Sequence, residues 1–67
     1  MEITLKAARV NAGLTQKQAA EALQISKGAL LNYEQYRTVP DVAMAWKMAE
    51  LYNLPVSSII FFRKIAL

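Results

Sequence analysis

Thr15-Gln16-Lys17-Gln18-Ala19-Ala20-Glu21-Ala22-Leu23-Gln24-Ile25-Ser26-Lys27-Gly28-Ala29-Leu30-Leu31-Asn32-Tyr33-Glu34 is the stretch whose reading decides the fold. Thr15 and Gln18 have the spacing of a capping box. The threonine hydroxyl accepts from the amide of Gln18, and the glutamine side chain reaches back to the amide of Thr15. The helix that follows runs to about Leu23 with Ala19, Ala20 and Leu23 inward, and Ser26 is placed to cap the next one, whose Leu30 and Tyr33 face inward. A link of about three residues and a small residue, Ala20, at the crossing allow a tight, roughly perpendicular helix pair.

The same periodicity extends outward in both directions. Leu5, Ala8 and Ala12 line one face of an earlier helix stopped at Gly13, which tolerates positive φ at a C-terminal cap. Arg37-Thr38-Val39-Pro40 reads as a loop, since proline disfavours helix in the residue before it. Asp41 caps a fourth helix carrying Val42, Ala45, Met48, Ala49 and Tyr52 inward, and Asn53 takes the left-handed turn that ends it. Pro55 suits the first turn of a fifth helix through Ile59 and Phe62. The expectation is an all-α fold of five short helices, with no sheet.

With 67 residues the chain holds one domain, residues 1–67, and not two. A domain of this size buries only about 60% of its unfolded surface, so it packs economically or borrows stability from a partner. The sequence has no cysteine and no histidine. That removes disulfides, thiolate metal sites, the commonest general base and every Ser-His or Cys-His pair. Glu2, Glu21, Glu34, Asp41 and Glu50 are scattered, with no paired spacing for metal or acid–base work. The inventory therefore argues against an enzyme, a metal, a cofactor or a small-molecule ligand. Ile59-Ile60-Phe61-Phe62, the longest apolar run, falls far short of a membrane span. With no signal peptide in view, the expected setting is the cytoplasm, with no membrane partner. The net charge of +3 is mild, but residues 3–40 hold Lys6, Arg9, Lys17, Lys27 and Arg37 against only Glu21 and Glu34. The basic excess in that half is compatible with a polyanion partner or simply with a solvated basic surface.

The ordered set Leu5-Lys6-x-x-Arg9, Gly13-Leu14-Thr15-Gln16-x-Gln18-x-Ala20-x-x-Leu23, Ile25-Ser26, Tyr33-Glu34-x-x-x-x-x-Pro40 and Met48-Ala49-x-x-Tyr52-x-Leu54 resembles the phage Cro and repressor (Xre-type) helix-turn-helix family. The likeness covers roughly residues 3–60. It implies a lambda-repressor-like domain whose third helix lies in the major groove of double-stranded operator DNA. It also implies a homodimer on half-sites about one helical turn apart. The expected role is a transcriptional regulator, phage or prophage in style, in a bacterial or phage-infected cell.

If Leu30 and Tyr33 face the core, positions 27, 28, 31 and 32 face outward. Lys27 can donate to guanine, Asn32 can pair with the adenine edge, and Leu31 can pack on a thymine methyl. Gly28 lets the backbone approach the groove. Gln16 stands at the start of the second helix, where exposed amides favour a phosphate, and the resemblance assigns it that clamp. Lys17, Ser26, Arg37 and Thr38 are further phosphate candidates, with Lys17 equally readable as a solvated side chain. The resemblance makes Arg9 and Glu34 a structural ion pair first, with phosphate contact by Arg9 as a second role.

The chain departs from the family where glycine is common. Gln24 stands in the turn, which is expected to be strained there. Tyr36 stands after the third helix, where it either stacks on the DNA backbone or covers the core. The apolar end, Phe61, Phe62, Ile65 and Leu67, reads as a dimer interface or, for the phenylalanines, as closure of the core. Trp46 has the same two readings. A second function class also remains, an antitoxin-like protein that uses this fold mainly to bind another protein.

Overall fold

Four helices form where short-range chemistry starts and stops them. The computed structural model describes residues 2–62. Strand β1 (Ile3–Thr4) leads directly into α1 (Leu5–Asn11), followed by α2 (Gln16–Leu23), α3 (Lys27–Glu34) and α4 (Val42–Tyr52). A single 3-10 turn (Val56–Ser58) and strand β2 (Ile59–Ile60) complete the described chain. Each helix opens on a side-chain oxygen that accepts an otherwise orphaned amide. Thr4 takes that of Ala7 at 3.1 Å, Thr15 that of Gln18 at 3.1 Å, Ser26 that of Ala29 at 3.0 Å and Asp41 that of Met44 at 2.8 Å. The amide of Thr15 donates to Gln18 Oε1 at 2.9 Å, which completes the capping box.

All four helices also close alike. One residue turns left-handed: Gly13 (φ +77°), Gln24 (+58°), Tyr36 (+59°) and Asn53 (+56°). The next amide then returns to a carbonyl five residues back, Leu14 to Arg9 at 3.2 Å, Ile25 to Ala20 at 3.0 Å, Arg37 to Asn32 at 2.9 Å and Leu54 to Ala49 at 3.0 Å. Gln24 and Tyr36 hold this conformation with a full side chain, at a cost of about 1–2 kcal/mol each that glycine would avoid.

The core gathers Leu5 and Ala8 from α1, Ala19, Ala20 and Leu23 from α2, Leu30 from α3, Met48, Ala49 and Tyr52 from α4, and Ile59 from β2. The alanines at the crossings let α2 pack closely on both α3 and α4. Leu5, Leu30 and Met48 are fully buried, each contributing roughly 1.5–3 kcal/mol.

The C-terminal segment corrects the five-helix, sheet-free expectation. Pro55 remains extended (ψ 143°), and only one 3-10 turn forms before the chain straightens. Ile59 and Ile60 are β-branched, stiff in a helix and suited to a pleated edge. They pair in parallel with the other end of the chain, Ile3 with Ile59 and Thr4 with Ile60, which buries Ile59. Two other inward assignments also change. Ala12 is an exposed cap of α1, and Val42 is 75% exposed because α4 turns its first residue outward.

Candidate nucleic-acid interface

The surface of α3 is divided by its own periodicity. Leu30 and Glu34 are buried and Tyr33 is half-buried against the core, whereas Lys27, Gly28 and Leu31 are exposed and Asn32 is half-buried. Gln35, the residue that ends α3, is exposed as well. It extends the row of positions 28 and 31 by one more turn, and the 3.6-residue period that marks those positions is the signal that points to it.

Among the described residues, nothing crowds the position of a side chain at Gly28. Its backbone is helical, and a Cβ there would meet only Ser26 Oγ at 3.9 Å. A glycine at such a site weakens the helix by about 1 kcal/mol relative to alanine, and no contact among the described residues requires it.

Around this helix, Gln16 is half-buried at the first position of α2, Lys17 is exposed four residues before the exposed Glu21, and Arg37 and Thr38 are exposed just beyond α3. The turn carrying the last two is fastened back onto α3, with the amides of Arg37 and Thr38 directed at the carbonyl of Asn32 at 2.9 and 3.5 Å. Ser26 spends an oxygen lone pair on its own helix cap, which leaves its hydroxyl proton available.

Arg9 and Glu34 form a buried unit between α1 and α3. Arg9 Nε donates to Glu34 Oε2 at 2.6 Å, Nη2 to Oε1 at 3.3 Å, and Nη1 to the carbonyl of Leu14 at 2.9 Å. Arg9 is only 6% exposed. The pair ties α1 and the turn after it to the end of α3. Tyr52 packs nearby, and its Oη has no hydrogen-bond partner among the described residues. Burial, reinforced by the charge of Glu34 and opposed by that of Arg9, pushes its phenol up to about 12.

Tyr36 turns away from the solvent-facing row. Its hydroxyl donates to the carbonyl of Ile60 at 3.0 Å, so the ring covers the junction between α3 and β2. Trp46 is 59% exposed and Phe62 60% exposed, while Phe61 packs partly against the core. Ile65 and Leu67 lie outside the described residues. Among the described residues no group of acidic side chains could hold a metal ion, and no helix is long and apolar enough to cross a membrane.

The helix-turn-helix family profile matches residues 5–59, from the start of α1 to the first residue of β2. The chain belongs to the Xre-type helix-turn-helix family. Within it, the HTH-type transcriptional regulator ImmR of Bacillus subtilis (strain 168) is 48% identical over 50 residues, which cover 75% of this chain and 39% of that regulator. The chain thus spans well under two thirds of that relative's length. No solved structure matches the chain.

Proposed function

We propose that this protein is a sequence-specific DNA-binding transcriptional regulator of the phage-repressor kind, reading the major groove of an operator with α3. The observation that carries this reading is the outer face of α3, where Lys27, Leu31 and Asn32 surround a glycine that no contact among the described residues requires. Lys27 donates to guanine O6 or N7, Asn32 pairs with the N6/N7 edge of adenine, and Leu31 packs on a thymine methyl. Gly28 leaves room for the base edges to come close to the helix backbone. Gln16, Lys17, Ser26, Arg37 and Thr38 hold the phosphates on either side and set the register without specifying sequence.

Four reading positions make one copy a weak reader. A homodimer, joined through Trp46 and the apolar segment from Phe61 and Phe62 to Ile65 and Leu67, doubles the code on a two-fold operator. The exposed apolar side chains of Val39, Val42, Trp46 and Phe62 also favour a second reading, an antitoxin-like protein that acts mainly by binding another protein.

Fluorescence titration of duplex DNA at two salt concentrations separates the two. A regulator binds at low salt and weakens steeply as salt rises, because neutralised phosphates release their condensed cations. No binding at low salt, together with tight capture of a co-encoded protein, would establish the second reading instead.

A further inference from the structure

The end of α3 shares the left-handed turn and backbone hydrogen bond of the other helix ends, but the turn is anchored differently, and the difference involves Tyr36. After α1, α2 and α4, the residue following the left-handed position is Leu14, Ile25 or Leu54, and each packs against the core. This apolar contact is the usual anchor of such a turn. After α3 the corresponding residue is Arg37, which is exposed. The anchor is supplied one residue earlier. Tyr36 occupies the left-handed position itself (φ +59°) and sends its phenol to the carbonyl of Ile60 at 3.0 Å. Ile60 is held in turn by its pairing with Thr4, the residue that caps α1.

We infer that Tyr36 is a positioning residue for DNA binding: its hydroxyl latches the turn after α3 to β2, which frees position 37 to carry an arginine and holds that arginine toward a phosphate. The inference rests on the DNA-binding reading. The left-handed strain at Tyr36 follows from it. Glycine would suit the backbone better but would leave the turn without an anchor, because Arg37 cannot point both into the core and at DNA.

The test uses Tyr36→Phe, Tyr36→Gly, Arg37→Ala and the Tyr36→Phe/Arg37→Ala double variant, each checked for helical content by circular dichroism. Amide exchange is measured on the free proteins, and affinity for a mixed-sequence duplex is measured across a salt series. One neutral hydrogen bond contributes about 0.5–1.5 kcal/mol, so Tyr36→Phe should speed exchange at the Arg37 amide and weaken DNA binding by roughly two- to tenfold each. The slope of log affinity against log salt should become shallower by about 0.9, as expected when the protein neutralises one phosphate fewer. In the Arg37→Ala background, Tyr36→Phe should weaken binding no further. Tyr36→Gly should bind more weakly than the parent despite its easier backbone.

Multiplicative effects in the double variant, an unchanged salt slope, or parental binding by Tyr36→Gly would each overturn the proposal. Unchanged exchange at Arg37 in Tyr36→Phe would overturn it without reference to DNA. If the parent protein binds no duplex while exchange at Arg37 does accelerate, the failure belongs to the DNA-binding reading, and Tyr36 is left as the latch of a turn that serves another surface.

Discussion

The absent side chain of Gly28 and the unpartnered hydroxyl of Tyr52 each lower stability, for different reasons. Gly28 weakens α3 although a Cβ there would meet only Ser26 Oγ, at an ordinary contact distance of 3.9 Å. Gly28→Ala should raise the unfolding free energy by about 1 kcal/mol, visible as a higher melting temperature, and at the same time weaken operator binding as the added methyl meets the groove. Equal or tighter binding by the stabilised variant would remove the argument for close backbone approach. Tyr52 carries a buried hydroxyl with no partner among the described residues. Its phenol proton is held more tightly in the folded than in the unfolded chain. Its contribution is therefore fully present below pH 10.0 and disappears as the pH rises toward about 12. Denaturant titrations of the parent and of Tyr52→Phe should diverge across that window, with the parent losing more stability as the pH rises. At neutral pH the phenylalanine variant should be at least as stable, since it removes an unsatisfied buried group. The two features are not equally legible in the sequence. Gly28 stands out because glycine inside a helical period is locally anomalous. The isolation of the Tyr52 hydroxyl depends on which neighbours α1 and α3 bring to it.

Helices announce themselves through interactions three or four residues long, and strand pairing does not. Thr15, Ser26 and Asp41 are readable as caps because the oxygen and the amide it accepts lie within a single turn. The pairing of Ile3 with Ile59 joins opposite ends of the chain through strands too short to show any alternation, so the local apolar spacing from Pro55 onward reads as helix. Between elements, the Arg9–Glu34 pair fastens α1 to α3 through two hydrogen bonds. Arg9→Leu or Glu34→Leu alone leaves one charge buried without its partner and should cost about 3–5 kcal/mol. The double variant should recover a large part of that stability. Chemical denaturation of the three proteins measures this directly. A double variant as unstable as the sum of the singles would mean that the two residues act independently.

At the scale of the whole molecule, the candidate site is more legible than the surfaces around it. The outward row of α3 follows from one periodicity once Leu30 and Tyr33 are fixed inward, and the structure leaves Lys27, Gly28 and Leu31 exposed with Asn32 half-buried. Gln35 extends that row. The apolar residues assigned to a dimer interface are less constrained by sequence, because a core residue and an interface residue have the same composition. Trp46 and Phe62 are exposed, and Phe61 is shared with the core. The central claim is that α3 reads sequence while the N-terminus of α2 grips the backbone. It is tested most directly by measuring parent, Asn32→Ala and Gln16→Ala affinities for a duplex selected from a random pool and for a scrambled duplex. Asn32→Ala should reduce the ratio of the two affinities by roughly five- to 150-fold, the discrimination of one bidentate base contact. Gln16→Ala should weaken both affinities about equally and leave the ratio intact. Two variants that change the affinities in the same way, or a parent protein that does not distinguish the duplexes, would contradict the account.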